Sequence, residues 1–202
     1  MSLESSKVLH IRQRKELVEI FGFETRNKYE VINEAKEIVG FAAEQGKGFG
    51  GAILRHFLGH WRKFDIHFFD ANRQLVFIAH HPFRFFFNRI EVKDPRGAML
   101  GAIQKRWALF TKKFDFEDAR GNVIFTCSSP IWRLWTFPVK KNDQDVAMIK
   151  KKWAGLGVEA FLDADKFHVE YLSSAVTPTE RLLILAAGLF VDLVYFEKKA
   201  SS

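Results

Sequence analysis

The sequence contains a single cysteine, Cys127, among its 202 residues. One cysteine supports neither an internal disulfide nor a zinc ribbon, so a small disulfide-stabilised secreted scaffold is excluded and a reducing compartment is expected. Met1 to Lys15 are polar and lack the apolar core of a secretory signal, which predicts no export and a cytoplasmic location. Cys127 lies in a β-type run without an activating base nearby in sequence, so we expect it to be buried and inert.

The composition is that of a globular protein, with 48% hydrophobic and 27% charged residues, and it excludes a disordered or collagen-like chain. The unusual number is 22 phenylalanines. Aromatic side chains suit pleated, half-buried sheets better than helical cores. We therefore predict one mainly β domain over residues 1–202, long enough to bury a sizeable core.

Alternating apolar residues, a polar turn and renewed alternation recur through the middle of the chain. In one copy, Phe64, Ile66 and Phe68 alternate with polar residues before a turn at 70–73. Further turns, each rich in Asp, Asn or Gly or otherwise polar, are predicted at 33–36, 94–97, 118–122 and 141–143. These hairpins imply roughly ten to twelve strands, and closure into a barrel removes exposed edges. We predict a closed antiparallel β-barrel over residues 15–176, after a lead-in over 1–14.

The C-terminal segment has the signature of a helix. Thr177 is the expected cap, Pro178 the first helical residue and Glu180 the partner in a capping box. The run 182–196 is apolar on all sides apart from a glycine and an aspartate, so protein or lipid must surround it. Its 15 residues fall short of the ~20 that span a bilayer. We expect a helix over 177–198 in the centre of the barrel, with single-pass membrane insertion as the alternative.

Basic residues outnumber acidic ones by 31 to 24, for a net charge of +7, which favours anionic partners such as an acidic membrane or nucleic acid. Several basic residues stand beside aromatic ones at predicted strand ends, an arrangement that suits an anionic bilayer surface. The predicted lipid-headgroup residues are Arg62, Lys63, Lys105, Arg106, Lys112, Lys113, Lys140, Lys141, Lys150, Lys151 and Lys152. Trp132 and Trp135 are predicted membrane-interface residues. The alternatives are solvated surface charge for the basic clusters and strand core for the tryptophans.

Other motifs have structural interpretations. Residues 46–51 match G-x-G-x-x-G by letter, but hairpins surround them and a strand–turn–helix does not, so we interpret them as a rim loop. His56 and His60 lack the intervening glutamate of a zinc hydrolase motif. His80 and His81 are expected on opposite faces of a strand. We find no residue set for bond chemistry, and the predicted function is non-enzymatic.

Several segments resemble the phospholipid scramblase family. The N-terminal match reads GFETRNKYEV at 22–31 and FAAE at 41–44. Further matches, in chain order, are 62–66, 90–92, 95–97, 100–101, 152–155, 159–167 and 191–197. The resemblance runs from about residue 15 to residue 197.

The resemblance implies a tubby-like fold, a twelve-stranded barrel around a C-terminal hydrophobic helix that is shared with the LURP-one-related proteins. It also implies lipid association, with calcium-stimulated transbilayer movement of phospholipids in scramblases and phosphoinositide binding in tubby-type members. Where the family carries a cysteine-rich, palmitoylated stretch, this chain reads FRFFFN at 83–88, and the sequence shows no proline-rich N-terminal arm. We therefore expect attachment through charge and aromatic residues.

The resemblance further places a loop similar to an EF-hand at Asp163. Such a loop needs oxygen ligands at positions 1, 3, 5, 9 and 12 and glycine at position 6. Only Asp163 and Asp165 supply carboxylates, and His168 stands at position 6. We favour a strand from Lys166 to Leu172 after an Asp-rich turn, expect any calcium binding to be weak, and predict that no cofactor is required.

We therefore expect a scramblase-like protein that binds anionic membrane lipids, peripherally at the inner membrane face, and mediates transbilayer phospholipid movement. The alternative is a tubby-like binding or scaffold module for a phosphoinositide, another anionic ligand or a protein partner, without lipid transport. Nucleic-acid binding rests on charge and aromatic content alone, so no specific nucleic acid is expected. The oligomeric state is left open.

Overall fold

The described residues of the computed structural model form twelve β-strands and one α-helix. The structure describes residues 3, 5–13, 28–45, 64–82, 89–133, 136–152 and 166–195, without the side chains of 152, 166 and 192–195. The strands are β1 (Val8–Gln13), β2 (Lys28–Asn33), β3 (Ile38–Gln45), β4 (Phe64–Asp70), β5 (Leu75–His81), β6 (Arg89–Lys93), β7 (Met99–Arg106), β8 (Thr111–Asp118), β9 (Val123–Pro130), β10 (Thr136–Lys141), β11 (Gln144–Lys152) and β12 (Lys166–Tyr171). The helix is α1 (Pro178–Tyr195).

The strands form a closed barrel in which neighbours in sequence pair antiparallel and β1 closes against β12. At the closure Leu9 lies opposite Val169 and Ile11 opposite Phe167, so both terminal strands turn apolar side chains inward. Among the described strands no edge is left unpaired, as a large sheet requires to avoid aggregation. The predicted barrel around a C-terminal helix is confirmed. It begins earlier than expected, because β1 lies within the segment 1–14 that was predicted to be a lead-in.

Four of the described hairpin turns share one geometry, which the asparagine and aspartate residues at their first positions explain. In the turn at 94–98, the Gly97 amide donates to the Asp94 carbonyl at 3.0 Å, and the Ala98 amide donates to the Asp94 carboxylate at 2.8 Å. The fourth residue of each turn has a left-handed φ, as in a type I turn with a bulge. These residues are Lys36 (65°), Arg73 (64°), Gly97 (88°) and Gly121 (87°). The β10–β11 turn instead has two left-handed residues, Asn142 and Asp143, as in a type I′ hairpin.

The barrel therefore has two different ends. We call the end with these turns the turn rim. At the opposite end, the loop rim, β7 passes into β8 through residues 107–110 and β9 ends at Pro130. The predicted turn positions are confirmed, and all of them lie at the turn rim.

Helix α1 fills the barrel. Leu183, Ile184, Leu185 and Ala186 are consecutive and fully buried, and because consecutive residues point in different directions around a helix, every side of α1 is covered. Inward phenylalanines of the wall pack beside it, including Phe68 and Phe77, whose stacked rings lie 4.9 Å apart. The buried-helix prediction is confirmed. The alternative, insertion of this helix into a bilayer, is contradicted by its enclosure.

Polar contacts fix the start of α1 at the turn rim. The Thr177 amide donates to the Glu180 carboxylate at 2.8 Å and the Glu180 amide donates to the Thr177 hydroxyl at 3.3 Å, which confirms the capping box. The Arg181 guanidinium lies 3.6 Å from the centroid of the Tyr171 ring and donates to the Ser6 carbonyl. Since α1 starts at the turn rim, it runs through the barrel towards the loop rim, where the rings of Phe190 and His81 are 6.0 Å apart.

Gly188 marks a close approach between α1 and the wall. A Cβ there would lie 3.0 Å from Val169 Cγ2 and 3.1 Å from Ile11 Cδ1. We expect Gly188→Val to lower the free energy of unfolding by about 1–3 kcal/mol, because a branched side chain displaces neighbours in a filled core. Urea denaturation measures this change. Thr179→Val, at an exposed helical position, is the control for valine itself, and equal unfolding midpoints for both variants would refute the tight packing.

Candidate functional site

Lysines enter the mouth of the barrel at the loop rim. Directly opposed residues on antiparallel strands point to the same face. Lys105 lies opposite Phe114, Lys112 opposite Ser129 and Lys151 opposite Phe167, and each of these partners is buried. The stems of Lys105, Lys112 and Lys151 therefore follow the inner wall, while their positions at strand ends keep the ammonium groups near solvent.

Lys112 is a partly buried cation of the mouth. Its Nζ lies 5.2 Å from the centroid of the Phe137 ring and donates to the Arg133 carbonyl at 3.5 Å. Burial lowers the pKa of Lys112 below its usual value, because desolvation disfavours the charged form. Lys151 has a similar aromatic neighbour, with its Nζ 5.2 Å from the centroid of the Phe167 ring. An anionic group at the mouth would stabilise the charged form of Lys112, which burial disfavours.

The outer face of the loop rim carries Arg106, Lys113 and Lys150. Arg106 donates to Asp115 at 2.7 Å and to Glu117 at 3.2 Å, and Lys150 donates to Glu170 at 3.0 Å. These exposed ion pairs contribute little to stability, but they reduce the local positive charge. Lys113 is exposed. Lys113 and the lysines of the mouth add further positive charge to the described part of this rim.

Lys140 and Lys141 lie at the turn rim, at the opposite end of the barrel from the other described basic residues of the predicted set. Lys140 is 3.8 Å from Asp145, and Lys141 donates to Glu180 at 2.9 Å. Lys141 Nζ also lies 5.5 Å from the centroid of the Phe125 ring. Lys141 thus ties the β10–β11 turn to the start of α1, and neither lysine belongs to the candidate site at the loop rim.

Other predicted site residues fall outside the described ranges. They are Arg62, Lys63, Trp135, Asp163 and Asp165. Lys152 ends β11, and its side chain is also outside the described set. The motifs at 46–51 and at His56 and His60 lie outside it as well.

Two loop tips at the same rim expose large apolar side chains. In the tip between β7 and β8, Trp107 is 71% exposed, Leu109 67% and Phe110 68%. In the tip after β9, Trp132 is 72% exposed, so the alternative of a strand-core position for this tryptophan is wrong. The Ile131 amide donates to the Phe110 carbonyl at 3.1 Å and joins the two tips. Sequence reasoning missed Leu109 and Phe110, although an apolar run where a hairpin normally has polar residues was a usable signal.

The weak calcium site at Asp163 and Asp165 stays a prediction, because both residues lie outside the described ranges. Phe167 and Tyr171, at positions 5 and 9 of a loop beginning at Asp163, are buried residues of β12. The predicted strand is confirmed over Lys166–Tyr171. Within the described ranges no group of three or more His, Cys, Asp or Glu side chains is placed to hold a metal.

Buried reactive groups in the barrel have structural roles. Cys127 is buried, and desolvation raises its pKa to about 12, as expected for an inert thiol. His80 and His81 point to opposite faces of β5, as predicted. His80 forms a hydrogen bond with Asp65, whereas His81 is buried and stacks on Phe64 with ring centroids 4.7 Å apart.

Between α1 and the β7–β11 wall lies an apolar cavity of about 10 Å³. Its lining includes Phe114, Phe137 and Phe190. That volume is about the least that admits one water molecule, and no lipid chain fits into it. No helix within the described ranges combines the length and the hydrophobicity that a membrane crossing requires.

The family model described as Scramblase matches residues 1–198, and the chain therefore belongs to the scramblase family. Human phospholipid scramblase 1 is 29% identical over 206 residues, an alignment that covers 95% of this chain and 63% of the human protein. Bovine phospholipid scramblase 2 is 29% identical over 208 residues, and that alignment covers 94% of this chain and 68% of the bovine protein. The chain thus spans less than two thirds of the human relative. The alignment with a solved X-ray structure of an Arabidopsis thaliana protein covers 98% of this chain and 94% of the plant chain, at 12% identity and a TM-score of 0.48.

The contact between Lys141 and Glu180 gives a prediction about acid stability. Burial alone would raise the pKa of Glu180, but hydrogen bonds from Thr177 and Lys141 outweigh it and hold that pKa below 4.5. A carboxylate with a lowered folded-state pKa stabilises the fold above its unfolded pKa and loses that contribution as the pH falls through the folded value. We expect Lys141→Gln to lower the free energy of unfolding by about 1 kcal/mol near neutral pH. We also expect that loss to shrink below pH 4.5, as Glu180 is protonated.

Urea unfolding at several pH values measures this effect. Lys140→Gln is the matched control, because its ion pair with Asp145 is longer and more exposed. Identical pH profiles for the two variants would contradict the assigned role of Lys141. Vesicle binding should be unchanged in both, since both residues lie away from the loop rim.

Proposed function

We propose that this chain is a non-enzymatic protein that docks peripherally on anionic phospholipid membranes, at the inner membrane face, and promotes transbilayer phospholipid movement there. The observation that carries the proposal is the loop rim, where basic side chains stand beside exposed aromatic tips. Membership of the scramblase family supports the lipid partner at the level of the family. The proposed contacts with headgroups are Lys105, Arg106, Lys112, Lys113, Lys150 and Lys151, with Trp132 at the interface.

The electrostatic part of docking is modest for each residue and large in sum. A lysine held near an anionic leaflet contributes about 1 kcal/mol, and the attraction extends over a Debye length of about 8–10 Å. Both rims carry basic residues, but the turn rim also carries the acidic turn residues Asp70, Asp94 and Asp118, which offset its positive charge. Docking by the loop rim is therefore favoured over docking by the turn rim.

The proposed lipid movement takes place beside the barrel. The cavity of about 10 Å³ between helix α1 and the β7–β11 wall holds no lipid chain. We assign the movement to a lowered barrier in the adjacent bilayer, through local thinning where the rim docks. We propose that docking itself does not depend on calcium, because lysine side chains contact anionic headgroups directly.

A charge reversal at the loop rim tests the proposed docking surface. We expect Lys105→Glu, Lys113→Glu and Lys151→Glu together to weaken binding to anionic vesicles by about a hundredfold or more, at about 1 kcal/mol for each lysine. Flotation with neutral and with anionic liposomes, at low and high salt and with calcium or chelator, measures the change. The matched control reverses three exposed charges at the turn rim, Lys36→Glu, Arg96→Glu and Arg120→Glu.

Equal losses in the two triple variants would mean that net charge, and not the loop rim, determines binding. Wild-type protein that floats with neither type of vesicle would overturn the proposal and leave the binding-module alternative. Binding to DNA with a steep salt dependence, together with indifference to vesicles, would point to nucleic acid.

A further inference from the structure

The large exposed apolar side chains at the loop rim lie on two neighbouring tips. Trp107, Leu109 and Phe110 come from one tip and Ile131 and Trp132 from the other. The hydrogen bond from the Ile131 amide to the Phe110 carbonyl holds the tips side by side. Single exposed apolar residues are normal on protein surfaces, whereas several large ones on neighbouring tips are typical of an interaction site.

The turn rim shows the contrast. Its exposed apolar residues are Ile38, Val123 and Leu172, which belong to different parts of the barrel: the start of β3, the start of β9 and the residue after β12. They stand singly among polar turns. Concentration of large apolar groups is therefore a property of the loop rim and not of the whole surface.

Several backbone groups of the tips are hydrogen-bonded within the protein. Besides the Ile131–Phe110 bond, the Arg133 amide donates to the Pro130 carbonyl at 3.0 Å. The Arg133 carbonyl accepts from Lys112 Nζ at 3.5 Å and from the Ser129 hydroxyl at 3.2 Å. An unpaired backbone group costs several kcal/mol in hydrocarbon, so each of these bonds lowers the cost of bringing the tips towards the acyl chains.

Charge surrounds the apolar tips on the side nearer the barrel. Lys112 and Lys113 follow the first tip in β8 after Thr111, and Arg133 follows Trp132 in the second. Such a sequence of apolar tip and cationic collar matches a leaflet with anionic headgroups above its acyl chains. A protein partner with an apolar groove would need acidic residues around that groove to match the same collar.

We infer that the tips form an apolar wedge, made of Trp107, Leu109, Phe110, Ile131 and Trp132, which inserts into the acyl boundary of the leaflet on which the barrel docks. This inference rests on the proposed membrane docking. Interfacial apolar groups reach about 5–10 Å below the headgroups. Vesicle binding should therefore have two parts, a charge-dependent part that salt removes and a wedge-dependent part that salt leaves. The wedge-dependent part should be larger on curved, loosely packed vesicles.

The double variant Leu109→Ser and Phe110→Ser tests the wedge, because both side chains are exposed and their loss removes no core packing. We expect about tenfold or more weaker binding to anionic vesicles, with the salt-resistant part lost and the salt-sensitive part kept. The matched control is Val123→Ser and Leu172→Ser at the turn rim, which should bind like wild type. Equal binding by the two double variants would overturn the wedge while leaving charge-driven docking intact.

A fluorescent label reports the insertion directly. Leu109→Cys carries the environment-sensitive fluorophore NBD in the wedge, and Ala119→Cys carries it in an exposed turn at the opposite rim. Cys127 is buried, so the folded protein is labelled at the introduced thiol. With anionic vesicles we expect a blue shift and brighter emission at position 109 and no change at position 119.

The outcomes separate the two proposals. Vesicle-bound protein whose position 109 label stays in water would refute the wedge alone. Protein that binds no vesicle would refute the docking proposal, and the wedge with it. A blue shift produced by an added soluble protein but not by vesicles would assign the surface to a protein partner and overturn insertion.

Discussion

Enclosure of α1 by the barrel is the constraint on which the rest of the structure depends. A helix that is apolar on every side needs a complete surrounding wall, and a twelve-stranded sheet needs closure to remove its edges. Each element satisfies the requirement of the other. The tight approach at Gly188 and the inward phenylalanines follow from this arrangement, since the space between helix and wall must be filled at the density of a protein interior.

The same constraint gives the barrel its polarity. The start of α1 is held at the turn rim by the capping box and by Lys141, while tight Asx-type turns close the strands there in short hydrogen-bonded loops. At the loop rim, residues 107–110 and 131–133 do not hold the start of α1, and these tips carry exposed apolar side chains. Stability and the candidate function are therefore associated with opposite ends of one barrel.

Family membership and geometry contribute different parts of the functional argument. The family model places the chain among the scramblases, and the human relative is longer than the chain. Family membership does not identify the surface that meets a lipid. The distribution of cations and exposed aromatic groups selects the loop rim. Mouth lysines such as Lys112, whose pKa is lowered by burial, and neighbouring tips joined by the Ile131–Phe110 hydrogen bond suit an interface between water and hydrocarbon.

The sequence by itself determined the elements whose signals are local. Alternation fixed the strands, Asp and Asn fixed the turns, and the Thr177–Glu180 box fixed the start of a helix that had to be enclosed. It missed β1, in which Leu9 and Ile11 alternate with His10 and Arg12, because the alternation is short and the partner strand β12 lies at the other end of the chain. Only the tertiary structure decided which basic residues share a rim, because strand direction sends Lys105 and Lys112 to one end and Lys141 to the other. The register likewise decided that Lys112 enters the mouth while Lys113 faces outward, a distinction that composition and spacing do not contain.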